Sequence, residues 1–350
     1  MKTGISVYLS TGYKRNEEII KKASQANVTH AFTSLHIPEE EIQDYKAEVK
    51  RLLTLCKAYN LHLMMDIGPR TLDKLGIQSF SELKALNVTH IRLDYGFTYE
   101  QIIELSNDFH IIFNASTLGD EDIKQLRKHH ANFEKFAACH NYYPKKLTGL
   151  SIDFVRETNK KMKSLGMTTM GFIPSHEDSR GPLYEGLPTV EAHRYNDFTL
   201  SLAQLHQDGL CDICFIGDID LSDQNWLHFK EYQENIITLK ANIHPDYQFI
   251  MDIVHHDRPD SSEFVIRSQE SRSYGPPNRI ITPLPKSKRI LGSISIGNEK
   301  YLRYSGEVEI ARIYLPLETR VNIIGQIDEK YLCYLPYIRH GMGFRFVNET

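Results

Sequence analysis

The sequence predicts an α/β fold, a TIM (β/α)8 barrel followed by a small all-β domain. Three observations predict it. Short β-branched runs alternate with amphipathic segments, eight such units fit within roughly 230 residues, and after about Trp226 turns replace the helical segments. Strict alternation of strand and helix implies parallel strands joined by crossover helices. The chain has 350 residues, more than one ordinary core and suited to two domains. Their predicted limits are 1–235 for the barrel and 236–350 for the β-rich part.

In order, the barrel strands are predicted at 4–10, 30–36, 61–67, 90–96, 110–116, 133–140, 168–174 and 212–218. Helical patterns fill the gaps, at 17–26, 45–59, 99–106, 122–129, 152–165 and 195–207. An open dinucleotide-binding sheet would carry a Gly-x-Gly-x-x-Gly turn after its first strand. Here that turn reads Ser10-Thr11-Gly12-Tyr13-Lys14, which favours the closed barrel. Asn27-Val28-Thr29-His30 and Asn87-Val88-Thr89-His90 open the second and fourth strands with the same four residues, the echo of a repeated unit. Beyond the barrel, strands are predicted at 238–244, 249–255, 263–267, 290–296, 306–315, 321–327 and 343–347, forming a small barrel that could lid the first domain or make a homodimer.

Composition narrows the function classes. A net charge of −4 with no basic stripe interleaved with aromatics argues against a nucleic-acid partner. The first ten residues are too short and too polar a run for a secretory signal, and no segment approaches the roughly 18 apolar residues of a membrane span. Cys56, Cys139, Cys211, Cys214 and Cys333 are odd in number and scattered, which predicts free thiols in a reducing compartment. Cys211 and Cys214 lack a second pair to complete a zinc site and read as small buried hydrophobes. Together these features predict a cytoplasmic protein with no membrane partner.

Chemistry in such a barrel gathers at the C-terminal ends of the strands. Strand ends there nominate Ser10, His36, Asp66, Asp94, Asn114, His140, Asn141, Tyr142, His176 and Asp218. The seventh strand precedes a long loop, 175–189, that carries His176, Glu177, Asp178, Arg180 and Glu185. Loops of that length in a compact domain usually bind or cover something. Two carboxyl groups flanking a pocket are the minimum for glycoside hydrolysis. Asp94 is the first choice, Glu185 its partner and Asp66 the reserve. Ser10, His36, Asn114, His140, Asn141 and Tyr142 are expected to orient the substrate. Arg180, Arg194, Arg272 and Arg279 are expected to hold phosphate, because a guanidinium fork matches its oxygens. A ring of His36, Asp66, His140 and His176 could hold a metal, yet no motif concentrates ligands on one element, so neither metal nor organic cofactor is expected. Lys135 lies near the start of its strand and is a poor Schiff-base candidate.

Several stretches resemble one family. They are 4–10, His140-Asn141-Tyr142-Tyr143-Pro144, Thr148-Gly149-Leu150-Ser151, 180–188 with Glu191, His193 and Arg194, and Arg267-Ser268 with Ser271-Arg272. They resemble the 6-phospho-N-acetylmuramidase family. The resemblance implies a TIM barrel followed by a cyclophilin-like β domain. It also implies a cytoplasmic enzyme of cell-wall recycling that cleaves N-acetylmuramic acid 6-phosphate–N-acetylglucosamine, a phosphorylated disaccharide. A metal-dependent phosphosugar isomerase or aldolase, or a non-catalytic sugar-phosphate sensor, are the alternatives that the residues alone leave open.

Overall fold

The computed structural model describes residues 1–34, 45–68, 71–85, 88–93, 96–274, 280–285 and 287–348. Two compact units emerge, Met1–Phe229 and Lys230–Thr350. The first is built on β1 (Lys2–Ser6), β2 (His30–Ser34), β3 (His62–Ile67), β4 (His90–Leu93), β5 (His110–Asn114), β6 (Phe136–Cys139), β7 (Thr168–Ile173) and β8 (Ile213–Ile216). Every neighbouring pair is parallel, and β8 returns to β1 through Lys2↔Ile213 to Ile5↔Ile216, so the sheet closes. Helices α1 (Tyr13–Gln25), α2 (Tyr45–Ala58), α3 (Thr71–Leu75), α4 (Ser81–Ala85), α5 (Tyr99–Ser106), α6 (Asp120–Lys128), α7 (Ile152–Ser164), α8 (Phe198–Ala203) and α9 (Asp223–Gln233) complete the alternation.

Local chemistry explains where these helices begin. Thr98 and Gln101 form a reciprocal capping box on α5, while Ser151 and Asp197 accept amide hydrogens at the starts of α7 and α8. Two expected elements are shorter than their patterns. The sixth strand begins only at Phe136, because Phe133–Lys135 form a 3-10 turn capped by Asn132. The helix expected over 195–207 is α8 followed by one π turn, Gln204–Asp208.

Inside the barrel, Phe32, Met64, Ile112, Ala137, Cys139, Met170, Phe172, Ile213 and Phe215 form one closed cluster. The Phe172 ring lies edge-on to Phe32 at 5.2 Å and tilted against Phe215 at 5.5 Å. Gly4 makes this packing feasible, since a β-carbon there would come within 2.3 Å of the Phe215 ring. The barrel is therefore a packed core, and its chemistry must lie above that plug.

The second unit is a seven-stranded mixed sheet in the order β10-β15-β9-β14-β12-β13-β11, where a small barrel was expected. Its strands are β9 (Ile236–Ile243), β10 (Val254–His256), β11 (Val265–Arg267), β12 (Ser293–Gly297), β13 (Val308–Ala311), β14 (Val321–Ile327) and β15 (Gly343–Val347). Among the described residues of this unit, β15 and β9 pair in parallel and the other strand pairs are antiparallel. The segment expected to be a strand at 249–255 begins inside a 3-10 turn, Pro245–Ile250, and reaches a strand only at Val254, the start of β10.

Candidate active site

Side chains alternate along a strand, so the core cluster shows which positions face inward. Met64 and Ile112 belong to it; Asp66 and Asn114, two residues further along, point the same way. Asp66 of β3 is the register partner of Arg92 of β4. The Arg92 guanidinium reaches both Asp66 oxygens through one nitrogen, at 3.2 and 3.4 Å. Its other nitrogen hydrogen-bonds Asn141 Oδ1, just beyond β6. Burial works against the Arg92 charge, but Asp66, together with Cys139 and Tyr142, outweighs it and the guanidinium is held more firmly protonated than usual.

Tyr142 follows Asn141 and lies on the aromatic plug, edge-on to Phe172 at 5.2 Å. Its phenol interacts electrostatically with that of Tyr8. Burial raises the Tyr142 phenol; Asp66 adds to the rise, while Arg180 and Arg92 oppose it. Tyr8, fully buried, donates to the Gly217 carbonyl at 2.5 Å, and the Arg180 guanidinium stacks 4.0 Å above its ring. A carboxylate, two guanidiniums, an amide and two phenols thus gather at the mouth.

Asp218, beyond β8, shapes the loop over this cluster. Its buried carboxylate accepts the amides of Ser175 (2.9 Å), Arg180 (3.0 Å) and Leu187 (3.3 Å). Burial raises its pKa, and the three amides pull in the opposite direction. One side chain therefore ties both ends and the middle of the long loop. Gly217 permits the close approach, since a β-carbon there would lie 2.4 Å from the Leu187 carbonyl.

The other expected residues take different places. Asp94, His36 and Arg279 lie outside the described residues. Ser10 is exposed in a 3-10 turn after β1. Asn114 accepts the Ser116 amide at 3.0 Å and lines a cavity of about 220 Å³ with Leu93, Phe97 and Phe113. His140 is a correction: it turns away from the mouth, fully buried, and its Nε2 lies 3.0 Å from Asn159 Oδ1 of α7. Burial pushes it down to about 4, so it is a neutral structural histidine. Arg194 is a second correction. Its guanidinium donates to Glu191 and to the carbonyls of Glu185, Gly186 and Tyr143, binding two loops together rather than facing a ligand. Glu185 is half-exposed, with its carboxylate 2.5 Å from Lys146 Nζ. Arg272 belongs to the second unit, where it donates to the Arg303 carbonyl. Cys211 and Cys214 are buried free thiols, as their spacing suggested. Among the described residues, no three His, Cys, Asp or Glu side chains are arranged to hold a metal ion, and no helix is long and apolar enough to cross a membrane.

Three members of this cluster escaped the sequence-based choice. Arg92 sits within its strand rather than at its end, so only inward parity with Asp66 would have found it. Tyr8 was hidden because β1 stops at Ser6 and not at Ser10. Asp218 lies at a strand end, but nothing in the sequence marks its carboxylate as the anchor of the long loop.

A closed parallel barrel with ionisable side chains gathered above its plug defines a (β/α)8-barrel protein of the kind that performs catalysis at that end. The N-terminal description of the 6-phospho-N-acetylmuramidase family matches residues 3–231, and its C-terminal description matches residues 236–347. The chain belongs to the 6-phospho-N-acetylmuramidase family, whose name denotes a glycosidase. Among solved structures, a conserved Enterococcus faecalis protein of unknown function is 33% identical, with a TM-score of 0.81, covering 100% of this chain and 97% of that one. An uncharacterized B. cereus protein is 26% identical, with a TM-score of 0.77 and coverage of 99% of both chains. No curated protein matches the chain.

Proposed function

We propose that the protein hydrolyses the glycosidic bond of N-acetylmuramic acid 6-phosphate–N-acetylglucosamine during cytoplasmic cell-wall recycling, by carboxylate acid/base catalysis. The observation that carries this reading is the Asp66–Arg92–Asn141 cluster above the barrel plug. Hydrolysis needs one carboxyl group to protonate the leaving oxygen and another to attack the anomeric carbon, activate water or support the sugar cation. Asp66 is the described carboxylate best placed for the second role, since Arg92 and Asn141 fix its position. Asp94 is proposed as its partner on sequence position alone, two residues after Arg92 in the chain. Glu185, half-exposed and 2.5 Å from Lys146 Nζ, is the alternative partner on the long loop.

Arg180, stacked on Tyr8, is the proposed phosphate contact from the barrel unit. Tyr142, half-buried on the aromatic plug, offers its ring to the sugar. The protein should act on a small-molecule phosphorylated disaccharide rather than on polymeric cell wall, since a free 6-phosphate is the feature an arginine would select.

The test is incubation of purified protein with the phosphorylated and unphosphorylated disaccharides, followed by mass analysis. Release of both sugars from the phosphorylated form alone is expected. Asp66→Asn should lower turnover by about a hundredfold or more while leaving the fold intact. Near-normal turnover in that variant removes Asp66 from the mechanism. Tight ligand binding without products would favour a sensor instead.

A further inference from the structure

We propose that the second unit carries its own binding pocket for a neutral sugar ring, on the polar face of the sheet beneath the turn Glu299–Tyr304. In β13 and β11, Val308, Ile310 and Ile266 pack into the core. Alternation then sends Glu307, Glu309 and Arg267 to the opposite face. Arg267 is the register partner of Glu309, and its Nε lies 2.6 Å from Glu307 Oε1. Arg289 lies 3.0 Å from Glu309 Oε2. A cavity of about 210 Å³ opens here, with Arg267, Tyr301, Tyr304, Glu307 and Glu309 among its walls.

Two further observations separate this cavity from an ordinary surface hollow. Glu307 is only 6% exposed, and burial raises the Glu309 carboxyl. Sheltering two acids and their arginines from water is costly, and a tidy apolar surface would have been cheaper to fold. The turn that supplies both tyrosines is also strained: Leu302 has φ 54° and ψ −118°, a conformation that non-glycine residues rarely adopt, and its side chain points to solvent at 80% exposure. Such strain persists only where surrounding structure enforces it, and it collects at ligand sites. Here it sets the Tyr301 and Tyr304 rings 6.2 Å apart and nearly perpendicular.

Charge selects the ligand class. Arg267 is paired with Glu307 and Glu309 with Arg289 behind it, while Arg303 and Arg320 stack on Tyr304 and Tyr301 and Glu318 pairs with Arg320, so most of the charge around the cavity is already engaged and a free ion gains little from entering. A sugar ring matches the inventory: its vicinal hydroxyls pair with planar carboxylate and guanidinium groups, and its C–H face lies against a tyrosine. The volume suits one ring rather than an oligosaccharide. The proposal is independent of the chemistry assigned to the barrel.

The experiment titrates the full-length chain with N-acetylglucosamine and with glucose, read by saturation-transfer NMR, calorimetry and amide hydrogen exchange. Binding with a Kd on the order of millimolar is expected, with slower exchange across 299–304. Asp66→Asn should leave it unchanged, while Tyr301→Ala and Glu307→Gln should each weaken it by about tenfold. If Tyr301→Ala does not fold, Tyr304→Phe and the exchange protection in the unmodified protein carry the test. No transfer at about 50 mM sugar, unchanged exchange in the turn, or loss of binding in Asp66→Asn with retention in Tyr301→Ala each overturns the pocket.

Discussion

Arg92 is the residue on which the barrel mouth turns. It is 11% exposed, it lies between a carboxylate and an amide from different strands, and its charge is reinforced by Asp66. A guanidinium can bridge two partners because its nitrogens diverge in one plane; an ammonium offers only a point charge. Arg92→Met should therefore leave Asp66 without its counter-charge and lower kcat by about a hundredfold or more. Arg92→Lys should recover only part of that loss. Wild-type kcat in Arg92→Met, with an unchanged unfolding midpoint, would exclude a positioning role. Much of this cluster was legible in the sequence. Asp66, Asn141, Tyr142 and Arg180 follow from strand ends and from one long loop. Arg92 is not legible from a strand end, because it lies within β4 and only its inward parity with Asp66 marks it. His140 misled for the same reason: it stands at a strand end, but its parity sends it toward α7.

At the scale of elements, the barrel strands were readable because each is a short β-branched or aromatic run between amphipathic segments. Their exact ends were not, since a local turn such as Leu9–Thr11 competes with the ladder over a single residue pair. The repeated Asn-Val-Thr-His now has a physical meaning. β2, β3, β4 and β5 all open with histidine, and the Thr29 and Thr89 hydroxyls lie 2.7 and 2.8 Å from Nδ1 of the histidine that follows. The rings of His30 and His90, from strands that are not neighbours, come within 6.1 Å, so they converge at the barrel's N-terminal end. The opposite end rests on Phe172, which supports Tyr142 from below. Phe172→Ala should cost about 3–5 kcal/mol of stability, because it removes a fully buried ring that its neighbours cannot replace. Denaturant unfolding measures that loss. A change under about 1 kcal/mol would mean the plug repacks and the mouth has no rigid floor.

Over the whole molecule, the two units differ in how plainly the sequence announces them. Parallel strands buried on both faces have continuous apolar signatures, whereas the second-unit strands interrupt theirs with polar residues and their turns are irregular. The barrel unit also stores an acid sensitivity that composition alone does not show. Burial pushes His30 to about 4 and His90 to about 3, with further lowering from His62, His110 and Lys2 around them. Burial also drives His140 to about 4 and His193 to about 3. Each folded value lies below the ordinary histidine pKa of about 6.5. The unfolded chain therefore binds protons first as pH falls, and folding stability must decline. That contribution is fully present above about pH 6.5 and is lost progressively toward pH 3–4, at about 1.4 kcal/mol per pH unit for each such histidine. Denaturant midpoints measured from pH 7.5 to 4.5 should fall steadily below about pH 6.5, and His90→Leu should flatten part of that slope. A midpoint that stays level across the range would mean that these rings take up protons as readily in the folded barrel as in the open chain, and the histidine layer would then be wetter than its packing implies.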